Sequence, residues 1–129
     1  MKKFLRWLSF AVVALLIHPK GSGEKPAPSP SKESWVRASF YSHWFEGREM
    51  ANGGRYRGAT HTAASRVYPL GSVLNVTARS TSRSLTVTVT DTGPWNQKFC
   101  LDLSRSAFTA LGLDTKAGWD WVRIERINQ

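Results

Sequence analysis

Residues 85–104 read LTVTVTDTGPWNQKFCLDLS. Leu85, Val87 and Val89 alternate with Thr86, Thr88 and Thr90, the two-residue period of a strand with one buried face. The alternation ends on an acid, Asp91, and Gly93-Pro94 then turns the chain. A second acid, Asp102, stands before Leu103-Ser104, where a helix signal begins. A carboxylate placed where a strand gives way to a turn is held by a rigid element yet open to a ligand, as an acid/base group must be.

The same period returns on either side. Residues 72–78 (SVLNVTA) alternate, residues 79–83 form a turn, and the two strands make a hairpin with residues 84–90. Residues 35–41 read as a first strand, residues 62–65 as a short one and residues 98–101 as a brief apolar one. Residues 119–127 (WDWVRIERI) alternate as a final strand, with Trp119 and Trp121 expected in the core alongside Val122 or Ile124. Residues 46–60 hold four glycines and Asn52 and read as a loop. One helix is expected, capped by Asp102 or Ser104, with Leu103, Phe108 and Leu111 on its apolar face and Gly112 closing it. Many short strands with so little helix predict a mainly β domain, a small closed barrel with one or two short helices.

The folded domain is assigned to residues 35–129. Residues 1–17 open with Lys2, Lys3 and Arg6, and an apolar run follows from residue 7 to residue 17. That run falls short of the roughly 20 residues a membrane span needs and fits the apolar region of a secretory signal. Its cleavage point is open, anywhere up to about residue 34, and no cysteine follows the run to carry a lipid. Residues 18–34, rich in Pro, Ser and Lys, read as a solvated linker. The expectation is an exported protein of the periplasm or cell envelope, a monomer, touching the membrane only through an uncleaved signal.

Beyond residue 34 there are 12 basic and 7 acidic side chains, a net charge of +5. That balance suits an anionic polymer such as a cell wall. Nucleic acid is not expected as a partner, because the chain lacks a basic helix or a clustered basic stripe. Cys100 is the single cysteine, which excludes an internal disulfide, and its apolar neighbours predict a small buried side chain. His18, His43 and His61 are not spaced as metal ligands and no nucleotide loop is present, so neither a metal nor a cofactor is expected.

Several segments, in order, carry a resemblance: Ala38-Ser39-Phe40-Tyr41, Gly47-Arg48, Ala51-Asn52-Gly53, Thr62-Ala63-Ala64, Pro69-Leu70-Gly71, Val89-Thr90-Asp91 with Gly93-Pro94, and Leu101-Asp102-Leu103-Ser104. Over residues 36–127 the chain resembles the rare lipoprotein A (RlpA) family, lytic transglycosylases of septal peptidoglycan, and more distantly the expansins. The resemblance implies a six-stranded double-psi β-barrel and, as substrate and partner, peptidoglycan glycan strands cut between MurNAc and GlcNAc to leave 1,6-anhydro ends. Two residues depart from the family pattern. Gly54 stands where a Glu is usual, and Ser65 where a His is usual. These departures keep a second reading alive, a non-catalytic expansin-like module that binds wall polysaccharide.

The chemistry implied tolerates a reduced acid set. Ordinary glycoside hydrolysis needs two carboxyl groups. In a lytic transglycosylase the substrate's own C6 hydroxyl is the nucleophile, so one carboxyl group of raised pKa can give and then take the proton. Asp91 is the expected acid/base, with Asp102 as a support or a second acid. Trp95, Tyr56 and Tyr41, with Ser65, are the expected substrate contacts. Trp44 lies in the same loop region, and Glu49 and His61 are candidates to replace the missing Glu and His.

Overall fold

The computed structural model describes residues 34–128; the expected signal and nearly all of the linker lie outside the described residues. Six strands form: β1 (Val36–Phe40), β2 (Thr62–Ser65), β3 (Val73–Ala78), β4 (Ser84–Asp91), β5 (Leu101–Leu103) and β6 (Trp119–Arg126). They close into a barrel in the order β1-β5-β2-β4-β3-β6. The β1–β5 and β2–β4 pairs are parallel and the other pairs antiparallel. One short helix, α1 (Arg105–Ala110), and a 3₁₀ turn, His43–Phe45, complete the described elements. This is the mixed six-stranded barrel expected of a double-psi fold.

Alternation decides what fills the barrel. Ala38, Ala63, Leu74, Val76, Ala78, Val87, Val89, Leu101, Leu103 and Val122 are sequestered from solvent. Each fully buried Val or Leu contributes about 1.5–3 kcal/mol. α1 adds Ala107 and Phe108 to the same core, with the Phe108 ring 4.5 Å from that of Phe40. Ser104 starts the helix by accepting the Ala107 N–H at 3.3 Å. Gly112 ends it at φ +74°, where a Cβ would lie 3.1 Å from Arg83 and Thr81.

Several expectations need correction here. Asp102 does not cap the helix: it sits in the middle of β5, and Leu103 faces the barrel core instead of a helix face. The brief strand therefore lies at Leu101–Leu103, further along than residues 98–101. Trp119 and Trp121 are half-buried on the outside of β6, while Val122 points in. The reason is room: an eight-stranded barrel is just filled by ordinary side chains, and a six-stranded one is narrower and takes Ala, Val and Leu. Cys100 is only half-buried and lines an opening with Val36, Val67, Tyr68 and Ile124.

Candidate functional site

The site forms on the outside of the barrel, where one irregularity re-aims a side chain. By alternation Asp91 belongs with Val87 and Val89 and would enter the core. The β2–β4 register prevents this: Ala63 lies beside Val89, and Ala64 beside Asp91, so Thr90 is an extra residue. Such a bulge turns the following residue to the other face. Thr90 then serves as the dock for the glycine-rich loop, its carbonyl accepting the Asn52 N–H at 3.2 Å and its hydroxyl meeting the Met50 sulfur at 3.3 Å.

Three donors hold the re-aimed carboxylate. Tyr41 donates its hydroxyl to Asp91 Oδ2 at 2.6 Å, and the Ala51 and Thr92 N–H groups each donate to Oδ1 at 2.9 Å. Gly93, at φ +136°, lets the chain leave at once, with Ala64 beneath it. Burial, then the hydrogen bond to Asp91, pushes the Tyr41 phenol far above its ordinary pKa, so it stays a donor. Tyr41 is itself braced by Tyr56, stacked at 4.3 Å between ring centroids.

Asp102 completes the pair. Ala64 lies beside Asp91 on one side and beside Asp102 on the other. With strands about 4.8 Å apart, the two acid backbones are about 10 Å apart and share one face. Ser39, in register with Asp102 on β1, donates its hydroxyl to Oδ1 at 3.2 Å. Burial raises the Asp102 pKa to about 6; the Ser39 bond opposes the shift and the Asp91 charge adds to it. Asp102 is thus a carboxyl group that carries a proton in mildly acidic solution, facing one fixed by three donors.

The remaining expected contacts divide. Trp95 is 78% exposed, just past the Asp91 turn, with its ring free to meet a ligand. Tyr56 is 2% exposed, and its hydroxyl accepts the Arg105 N–H at 3.2 Å; it braces Tyr41 and offers no open face to a sugar. Ser65 is also only 2% exposed, and its hydroxyl accepts the Val67 and Tyr68 N–H groups at 3.0 and 2.9 Å. Ser65 thus holds that turn, and its register partner is Leu101, a core residue. Trp44 is 63% exposed, with the Arg48 guanidinium 3.2 Å above its ring.

Gly54 is exposed and its N–H is taken by Asn52 Oδ1 at 2.9 Å. Glu49 and His61 are exposed. Ser39, Thr90 and the Ala51 N–H escaped the reading of the sequence. Ser39 does stand on the outward alternate of Ala38, but its partner is 63 residues away. Among the described residues no group of three or more His, Cys, Asp or Glu side chains forms a metal-binding arrangement.

The chain is similar to known proteins. Residues 37–124 match the family described as "Lytic transglycolase". The chain is 36% identical over 91 residues to the endolytic peptidoglycan transglycosylase RlpA of Haemophilus influenzae, covering 70% of this chain and 31% of that protein. It is 35% identical over 111 residues to RlpA of Pasteurella multocida, covering 84% and 37%. The chain thus spans about a third of the length of these relatives. Among solved structures, the apo expansin of Clavibacter michiganensis superposes with a TM-score of 0.57 at 28% identity, over 74% of this chain and 50% of that one. The Streptomyces papain inhibitor shares the fold at a TM-score of 0.57 and 19% identity, over 80% of this chain and all of that one.

Proposed function

Because the chain belongs to the RlpA-like lytic transglycosylase family, we propose that it cleaves peptidoglycan glycan strands between MurNAc and GlcNAc, leaving 1,6-anhydro ends. The observation that carries this reading is the unequal acid pair on one outer face. Asp102, with its raised pKa, gives its proton to the leaving glycosidic oxygen. The muramic C6 hydroxyl oxygen closes on C1 as the C1–O bond breaks, and the Asp102 carboxylate takes up the C6 hydroxyl proton. No water is consumed and the acid is regenerated. Asp91, held by Tyr41 and two backbone N–H groups, supplies fixed negative charge to the oxocarbenium-like state. These roles reverse the expectation that Asp91 is the acid/base.

Trp95 provides an exposed apolar wall for a sugar ring beside the pair. Export to the periplasm or cell envelope fits both the basic start with its apolar run and the peptidoglycan named as substrate in the relatives. A second reading, a wall-binding module without turnover, is favoured by Gly54 and by the buried, turn-holding Ser65. The full chain and its Asp102→Asn and Asp91→Asn variants, incubated with denuded glycan strands, decide between them. Mass spectrometry is expected to show 1,6-anhydro products from the parent and none from Asp102→Asn. Glycan retention by the parent without any such product would leave the binding module.

A further inference from the structure

The outer row that runs from Asp91 through Ala64, Asp102 and Ser39 extends one strand further. Ser39 lies beside Trp119 on β6, which places the Trp119 backbone about 10 Å from that of Asp102 at the usual strand spacing. In the adjoining position Arg37 lies beside Trp121. The Arg37 guanidinium is 4.9 Å from the Trp119 ring and 5.0 Å from the Trp121 ring, and the two indoles meet edge to face at 5.6 Å. Trp35 extends the patch, with the Arg79 and Arg123 guanidiniums each 5.8 Å from its ring. Asp120, the nearby acid, is turned to the Ser80 hydroxyl at 2.7 Å.

Three indoles and three guanidiniums therefore share a surface continuous with the acid pair, and none of the indoles belongs to the barrel core. We propose that this face is a distal subsite for the same glycan strand, in which Arg37 binds the lactyl carboxylate of a muramic residue while the indole edges bear on sugar rings. The inference rests on the reading of the acid pair as the cutting site. Continuity of the row supplies the direction in which the strand leaves. Charge supplies the specificity, since a planar guanidinium pairs with a carboxylate through two parallel bonds. Uncharged sugar polymers of the same shape give Arg37 nothing to bind.

Two probes test it: denuded peptidoglycan strands, and chitin oligosaccharides of matched length, which carry no carboxylate. Binding is measured for the full chain bearing Asp102→Asn, which prevents turnover, alone and combined with Arg37→Gln or Arg37→Lys. Arg37→Gln is expected to weaken binding of the muramic strands about tenfold and to leave chitin binding unchanged. Arg37→Lys, which keeps the charge and lacks the fork, is expected to lose most of the same preference with an unchanged melting temperature. Equal loss on both probes with a lowered melting temperature would mean that Arg37 only covers the indoles, and no loss on either would equally overturn the subsite. Failure of the parent chain to bind muramic strands at all would instead remove the reading of the acid pair, and the subsite with it.

Discussion

Asp102 in the folded chain ionises about two pH units above the 3.8 it would have when exposed. The carboxylate is therefore disfavoured by folding. The stability linked to its neutral form is whole below about pH 4 and is lost as pH rises through about 6. At 1.36 kcal/mol per unit the ionised group costs up to about 3 kcal/mol near neutrality, less whatever solvent screening remains. Asp102→Asn is accordingly expected to melt several degrees higher than the parent at pH 7.5 and level with it at pH 4, although it is inactive. In the parent, turnover of naked glycan is expected to fall as pH rises past about 6, as the proton donor is lost. Tyr41→Phe keeps the stack on Tyr56 and loses the 2.6 Å bond to Asp91. A bond to a charged group of this kind is worth about 1.5–3 kcal/mol, so kcat is expected to drop roughly ten- to a hundredfold with a smaller change in KM.

At the scale of elements, Thr90 matters more through its place in the chain than through its side chain. It is the residue that β2 leaves without a partner, and it sends Asp91 outward. Deleting Thr90 closes the bulge and leaves Asp91 on the outer face directly after Val89, but removes the carbonyl and hydroxyl that dock the glycine-rich loop. The deletion is expected to lower the melting temperature and to weaken glycan cleavage, because the loop whose Ala51 N–H holds Asp91 loses its dock. Thr90→Ala keeps the bulge, and its circular dichroism and melting curve are expected to stay close to the parent's. The hairpin of β3 and β4 was legible in alternation, and the start of the helix was legible to within two candidate caps, Asp102 and Ser104, of which the fold uses Ser104. The bulge was not, because nothing in LTVTVTD marks which residue a neighbouring parallel strand will skip.

For the molecule as a whole, net charge sets how it meets a polymer. With +5 beyond residue 34, binding to anionic wall strands is expected to weaken steadily as salt is raised from 50 to 500 mM. The measurement is retention on isolated peptidoglycan with Arg37→Gln alongside, whose salt dependence is expected to be shallower. A salt-independent retention would assign the affinity to Trp95 and the indoles of β6 instead.

The residue order alone carries the barrel class, the hairpin, a helix start at Asp102 or Ser104 and the presence of the two acids. These are local properties: a period of two, a capping hydroxyl, a glycine after a strand. Barrel closure decided the rest. It chose which alternate of each strand lies inside, which put Trp119 and Trp121 on the surface and Val122 within. It set beside one another residues as distant as Ser39 and Asp102, 63 positions apart, and Tyr41 and Asp91, 50 apart. Register across neighbouring strands depends on every strand at once, so no single segment contains it. That is why the acids were found in the sequence, while the raised pKa of Asp102 and the three donors on Asp91 came only from the neighbours the fold gave them.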